Sequence, residues 1–312
     1  VNKMTLDPQA KRVLEQMEKS GVPPLHTMSP QEARSVYSAM RLTSDDELVG
    51  SVEERNIAGP HGDIPIRIYK PVQSTNEKLP ILVFYHGGGW VIGNLDTHDN
   101  VCRILTNQAN CIVVSVDYRL APEHKFPVAV DDAFAALQWV AQHAGEIGGD
   151  ADKIAVGGDS AGGNLATVMT IIAKEKRGPK LVYQLLIYPS TGVGHTKSYD
   201  ENGEGYYLTK DLMAWFRKHY MNSPEDANDP YFSPYLYDDV HDLPPAFVMT
   251  AEYDPLRDDG KAYADKLKSA GVDVQYIEYE GMIHGFVTLA NVIDTGKTAL
   301  EDAANALKEA FA

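Results

Sequence analysis

Only two cysteines, Cys102 and Cys111, occur among 312 residues. A disulfide framework is therefore not what stabilises this chain. Both are expected to be buried, small apolar residues in a reducing cytosol. No run of about 18 apolar residues is present, so no membrane span is expected. Lys and Arg form no cluster, and the formal net charge is −16. Such a chain repels nucleic acid and anionic membrane surfaces, so neither is an expected partner. The first fourteen residues lack the apolar stretch of a signal peptide. A chain that starts with Val1 has been processed or trimmed, so a removed leader stays open, and a cytoplasmic location is the expectation. Two phosphate-binding fingerprints are missing as well. Counting G-x-G-x-x-G from Gly87 puts Ile92 at the sixth position, and no G-x-x-x-x-G-K-[ST] segment exists. Residues 94–99, directly after Gly93, carry Asp96 and Asp99 but no Lys or Arg, poor company for a polyanion.

What is present is a 44% hydrophobic chain, enough for one large domain. Asp7-Pro8 caps a first helix with Leu6, Ala10, Val13, Leu14 and Met17 on one face. Ser29-Pro30-Gln31-Glu32 is a capping box that opens a second. Residues 51–58 and 64–70 predict an antiparallel hairpin. Short apolar strands follow at 81–85, 112–116, 154–157, 183–187, 246–250 and 274–279. Helical patterns lie between and after them at 98–109, 128–143, 161–174, 259–270 and 291–310. Strands alternating with helices imply a mostly parallel sheet of about eight strands, covered on both faces. Residues 190–237 break this rhythm, with one clear helix near 209–220. The division that follows is 1–48 as N-terminal cap helices, 49–189 as the first part of a catalytic core, 190–225 as a cap insertion and 226–312 as the rest of the core. The N-terminal helices and the insertion are expected to pack together over one end of the sheet.

Two glycine-rich turns carry the chemistry. Residues 86–90 read HGGGW after an apolar strand, so a bare backbone offers N–H groups to an anion. Residues 158–162 read GDSAG, a G-x-S-x-G between a strand and a helix. There Ser160 would sit on a strained turn whose flanking positions, Gly158 and Gly162, have no room for side chains. A serine nucleophile needs a base, and the base needs an orienting acid. His195, His219 and His241 read as solvated or structural. His284 follows the last strand, at the end of the sheet where ligands bind. Asp254 and Glu252 are both candidates for the acid. Asp254 lies further into its loop and is favoured, with Glu252 supporting the loop through a buried hydrogen bond. Asp258 and Asp259 read as charges at a helix start. With Ser160, Asp254 and His284 as a triad, the anion at HGGGW is a transient oxyanion. This loop is expected to follow the strand that precedes the elbow's neighbour.

HGGGW at 86–90, DYRLAPE at 117–123, GDSAGG at 158–163, DPLRD at 254–258 and HGF at 284–286 together resemble the hormone-sensitive-lipase-like family of α/β-hydrolases, in its bacterial and archaeal carboxylesterases. The resemblance implies an α/β-hydrolase fold with a helical cap. It implies Ser160 as nucleophile, His284 as base and Asp254 as orienting acid, with oxyanion N–H groups from Gly88, Gly89 and Ala161. His86 would hold the glycine loop, with Gly87, Asp159 and Glu252 as further supports. Trp90 would border the substrate pocket or serve the core. Tyr118, Arg119 and Glu123 would be scaffold. The implied reaction is two-step hydrolysis of small, fairly apolar acyl esters, with no metal and no cofactor. Its rate should fall below about pH 6–7 as the base protonates. Amide deacylation and a non-catalytic ligand receptor on the same scaffold are the alternatives. Family members often pair through a sheet edge, so a homodimer is a further expectation.

Overall fold

The computed structural model of the chain describes residues 5–41, 47–72 and 77–312. Expectations that fall on residues 1–4 and 42–46, at the start and the end of the N-terminal segment, lie outside the described residues. Helix α1 (Pro8–Lys19) opens with Asp7 accepting from the N–H groups of Gln9 and Ala10. Helix α2 (Pro30–Ala39) opens with Ser29 accepting from Glu32. Both caps satisfy donors that have no intrahelical partner.

Among the described residues eight strands follow: β1 (Ser51–Ile57), β2 (Ile64–Lys70), β3 (Leu79–Tyr85), β4 (Ile112–Val116), β5 (Gly149–Asp159), β6 (Tyr183–Ile187), β7 (Ala246–Tyr253) and β8 (Val274–Ile283). They form one sheet in the order β1-β2-β4-β3-β5-β6-β7-β8. The pairs β1/β2 and β2/β4 are antiparallel, and the other five are parallel. Between and after the strands lie α3 (Asp99–Ala109), α4 (Val128–His143), α5 (Ala161–Lys176), α6 (Lys197–Asn202), α7 (Lys210–Tyr220), α8 (Arg257–Ser269) and α9 (Asp294–Phe311).

Side chains alternate across the sheet, and each face has its own core. Ile81, Val83 and Tyr85 of β3 join Ile112, Val114, Ile154 and Val156 under α4, α5 and α8. Leu82 and Phe84 join Val113, Ala155, Leu185 and Phe247 under α3 and α9. Each fully buried Val, Leu or Ile contributes about 1.5–3 kcal/mol relative to exposure. Cys102 and Cys111 are both buried and free, on the α3 side. Among the described residues no helix is long and apolar enough to cross a membrane.

Four expectations need correction. β3 itself is the neighbour of β5, with no strand between. Periodicity finds strands but does not order them, and here the chain crosses to β4 on the far side before returning. β7 runs on to Tyr253, so Glu252 belongs to the strand and not to the loop after it. Asp258 and Asp259 do stand in the first turn of α8, but they tether the insertion. Asp258 accepts from Ser198 N–H at 2.8 Å. Asp259 is buried and accepts from Thr191 and Gly192 at 2.9 and 3.1 Å. The N-terminal helices also separate. The turn at Leu25–Thr27 packs on α7, whereas α1 packs against β8.

Candidate active site

β5 ends in Gly157-Gly158-Asp159, and α5 begins at Ala161. Between them Ser160 takes φ 57° and ψ −116°. Such a conformation costs about 1–3 kcal/mol and persists only where the surroundings hold it. They do: Ser160 N–H donates to Ile187 O at 2.8 Å, and its carbonyl accepts from Asn164 N–H at 3.0 Å. A Cβ on Gly158 or Gly162 would collide with the Tyr85 carbonyl at the end of β3. Thus β3 lies close to the turn on that side. The Ser160 hydroxyl does not cap α5. It is left free to meet His284.

His284 directly follows β8. Its Nε2 lies 2.8 Å from Ser160 Oγ and its Nδ1 lies 2.6 Å from Asp254 Oδ2. With Nδ1–H donating to Asp254, Nε2 accepts from the serine hydroxyl. Asp254 is fully buried, and its other oxygen accepts from Leu256 N–H at 2.8 Å. Asn202 Nδ2 donates to the carbonyls of Glu252 and Asp254, fixing the loop from the insertion side. Glu252 Oε1 accepts from Gly281 N–H at 2.8 Å and thereby ties β7 to the end of β8. These contacts bring Ser160, His284 and Asp254 into one chain. They leave the other histidines outside it. His195 is exposed and paired with Asp200, His241 is exposed beside Asp239, and His219 packs edge-on against Trp215.

The glycine loop leaves β3 beside this chain. Gly88 and Gly89 have φ 128° and 58°, a region that suits glycine. A Cβ on Gly88 would strike Ile92 O, and one on Gly89 would strike the Phe216 ring of α7. Among the described residues no backbone hydrogen bond occupies the N–H groups of Gly88, Gly89 or Ala161. All three residues line the same cavity as Ser160.

Gly87 N–H donates to Asp159 Oδ1 at 2.9 Å, and His98 Nε2 meets Asp159 Oδ2 at 3.0 Å. Burial alone would raise the Asp159 carboxyl. The attraction and hydrogen bond of His98, with the Gly87 N–H, outweigh it and hold the group below its ordinary value. His86 is fully buried, stacks on Tyr118 at 4.4 Å and contacts Gly87 O through Nδ1 at 2.7 Å. Burial, helped by nearby His98, pushes its imidazole down to about 4. Tyr118 Oη donates to His86 O at 2.6 Å. Arg119 pairs with buried Asp132, and Glu123 pairs with Arg34 of α2.

The cavity has a volume of about 550 Å³. Trp90 lines it and is also packed in the core, stacked on Tyr220 at 4.5 Å. Sequence reasoning missed His98, Tyr188, Tyr207 and Arg41. Tyr188 follows β6 directly at the ligand-binding end of the sheet, a position that could have marked it. The other three carry no local signal. Among the described residues no three His, Cys, Asp or Glu side chains converge as metal ligands.

Comparison with known proteins agrees with this fold. A family profile described as alpha/beta hydrolase fold matches residues 82–288. The chain is 45% identical over 266 residues to carboxylesterase NlhH of Mycobacterium tuberculosis, covering 83% of each chain. It is 39% identical over 287 residues to an arylesterase of Saccharolobus solfataricus, covering 91% of this chain and 93% of the relative. Among solved structures, an esterase of the hyperthermophilic archaeon Pyrobaculum calidifontis superposes with a TM-score of 0.93 at 44% identity, covering 98% of each chain. The chain belongs to the hormone-sensitive-lipase-like family of α/β-hydrolases.

Proposed function

We propose that this carboxylic ester hydrolase works by two-step acyl transfer on Ser160 and acts on short- to medium-chain acyl esters. The observation that carries the reading is the hydrogen-bonded chain Asp254–His284–Ser160, at 2.6 and 2.8 Å, on the wall of the cavity. Ser160 Oγ attacks the ester carbonyl carbon while His284 Nε2 takes its proton. The carbonyl oxygen becomes an oxyanion, which the N–H groups of Gly88, Gly89 and Ala161 receive. One such donor is worth about 2.7–4 kcal/mol in the transition state. The tetrahedral intermediate collapses, and His284 gives its proton to the departing alcohol. Water, deprotonated by the same imidazole, then releases the acid and restores the serine. Asp254 orients the ring and stabilises the imidazolium. Protonation of Nε2 before attack removes the acceptor, so the rate falls on the acid side. The cavity size and the apolar side chains of Leu208, Leu212, Met213 and Phe216 support a small acyl group.

The test is hydrolysis of p-nitrophenyl esters of graded acyl length by wild type and Ser160→Ala. Wild type should cleave acetate to octanoate esters, and the variant should lose at least a thousandfold in kcat. Full activity in the variant would remove Ser160 from its role. Wild type that cleaves a matching anilide as fast as the ester would move the reading to amide chemistry.

A further inference from the structure

Arg41 follows α2 and lines the cavity that contains Ser160, yet it is only 8% exposed. A guanidinium carries five N–H donors and no acceptor. Here Nη2 donates to Tyr207 Oη at 3.0 Å, and the guanidinium carbon lies 4.0 Å from the centroid of the Tyr37 ring. Among the described residues, Nε and Nη1 are buried and have no hydrogen-bond partner. Among the described residues, the contacts of Arg41 are the Tyr207 hydroxyl and the Tyr37 ring, neither of them a carboxylate. Asp159 lines the same cavity, but Gly87 and His98 already hold both of its oxygens. A buried charge without a paired counterion is costly, and a face-on tyrosine offsets only part of that cost.

The neighbours of Arg41 are arranged with equal care. Tyr207 has φ 79°, a conformation rare for a residue with a side chain. Its ring lies 3.1 Å from where a Cβ on Gly285 would stand, next to His284. The Tyr188 ring lies 4.5 Å from the His284 ring, and its buried hydroxyl has no partner among the described residues. Tyr188 and Tyr207 line the cavity as well. Unsatisfied donors from two residues therefore border the space next to the reacting histidine.

We propose that Arg41, with Tyr207 and Tyr188, forms a carboxylate-binding subsite, and that the preferred substrates are esters carrying a second, free carboxylate. The inference rests on the ester-hydrolase reading above and names its substrate class. One guanidinium matches one negative charge, and a planar carboxylate takes two of its N–H groups at once. Arg217 lines the cavity too but is only half-buried, and Asp159 and Asp259 line it as carboxylates, so a single negative charge matches the buried Arg41 better than a dianionic phosphate. The free carboxylate can stand in the acyl half, as in a half-ester of a dicarboxylic acid, or in the alcohol half, as in an acylated hydroxy acid.

The experiment compares pairs matched in carbon number by pH-stat. Monoethyl glutarate is set against ethyl pentanoate for the acyl half, and 4-acetoxybutanoate against butyl acetate for the alcohol half. In at least one pair the anionic ester should have a tenfold or greater advantage in kcat/KM, and that pair identifies the half bound. In Arg41→Gln the ratio of anionic to neutral should fall at least tenfold, mainly through KM. Neutral esters preferred in both pairs, or an unchanged ratio in the variant, overturns the proposal. A second measurement needs no variant: glutarate should inhibit wild type at least tenfold more strongly than glutaramide, its neutral counterpart of the same shape, and equal inhibition overturns the subsite. If wild type cleaves none of the four esters but glutarate raises its Tm well above the effect of glutaramide, the esterase reading fails and the carboxylate site stands.

Discussion

Asp159→Asn separates holding the glycine loop from merely packing beside it. The carboxylate is buried and joins two elements that are distant in sequence. One oxygen receives Gly87 N–H at 2.9 Å, and the other meets His98 Nε2 at 3.0 Å. Asparagine has the same shape and no charge. Its oxygen can keep Gly87, but its NH2 faces His98, which must then turn Nε2 into an acceptor. Hydrogen bonds to a charged group contribute about 1.5–3 kcal/mol, and neutral ones about 0.5–1.5. Two bonds weakened in this way cost about 2 kcal/mol together. Gly88 and Gly89 follow Gly87 directly, so a loosened Gly87 shifts the two proposed oxyanion donors. Misplacement by about 1 Å costs on the order of a hundredfold. We expect kcat for p-nitrophenyl butyrate to fall ten- to a hundredfold, with KM changed less than threefold. The sign of the pH effect also follows. The folded-state carboxyl lies below its ordinary value, so its stabilisation is present above about pH 4 and lost as pH falls further. The Tm gap between wild type and variant should therefore be full at pH 7 and shrink towards pH 3. A variant whose Tm drops while kcat stays within twofold of wild type would refute the reasoning. The pair would then hold the fold and not the donors.

Two further outcomes are expected. Gly162→Ala places a methyl group on the Tyr85 carbonyl, so Tm should fall by several degrees and kcat by at least tenfold. Gly145→Ala, with nothing within 4 Å of its new Cβ, should leave both nearly unchanged, and equal behaviour of the two variants would discard the steric argument for the elbow. Burial raises the Asp259 carboxyl to about 6 despite its backbone donors. Its folded value lies above the unfolded one, so its contribution to stability is fully present below about pH 4 and lost as pH rises through 6. In chemical denaturation, Asp259→Asn should thus gain on wild type by up to about 3 kcal/mol between pH 4 and 7, and a pH-independent difference would show that the carboxyl does not titrate there.

What could be read from the sequence and what could not divide along physical lines. The elbow is legible because its cause is local: Gly158 and Gly162 stand two residues either side of Ser160, and the same short turn imposes the strain and excludes the side chains. Helix starts at Asp7 and Ser29 are legible for the same reason, since a cap and the N–H groups it satisfies lie within three residues. His284 was legible through its place at a strand end, although its partners lie 30 and 124 residues away. Asp259 shows where local reading stops. Its place in the first turn of α8 suggested a capping charge at the helix start, but its hydrogen bonds reach back 67 and 68 residues to the insertion. Strand order escaped for a related reason, because the β3/β5 contact depends on where the chain crosses and not on what either strand contains. Arg41 lies furthest from local explanation. It ends one helix, meets a tyrosine 166 residues later, and has no motif around it. Chemistry common to many esters can be built from a turn and two loop residues. Selection of one ester needs side chains converging from distant segments, so the reaction was readable from the sequence long before the substrate.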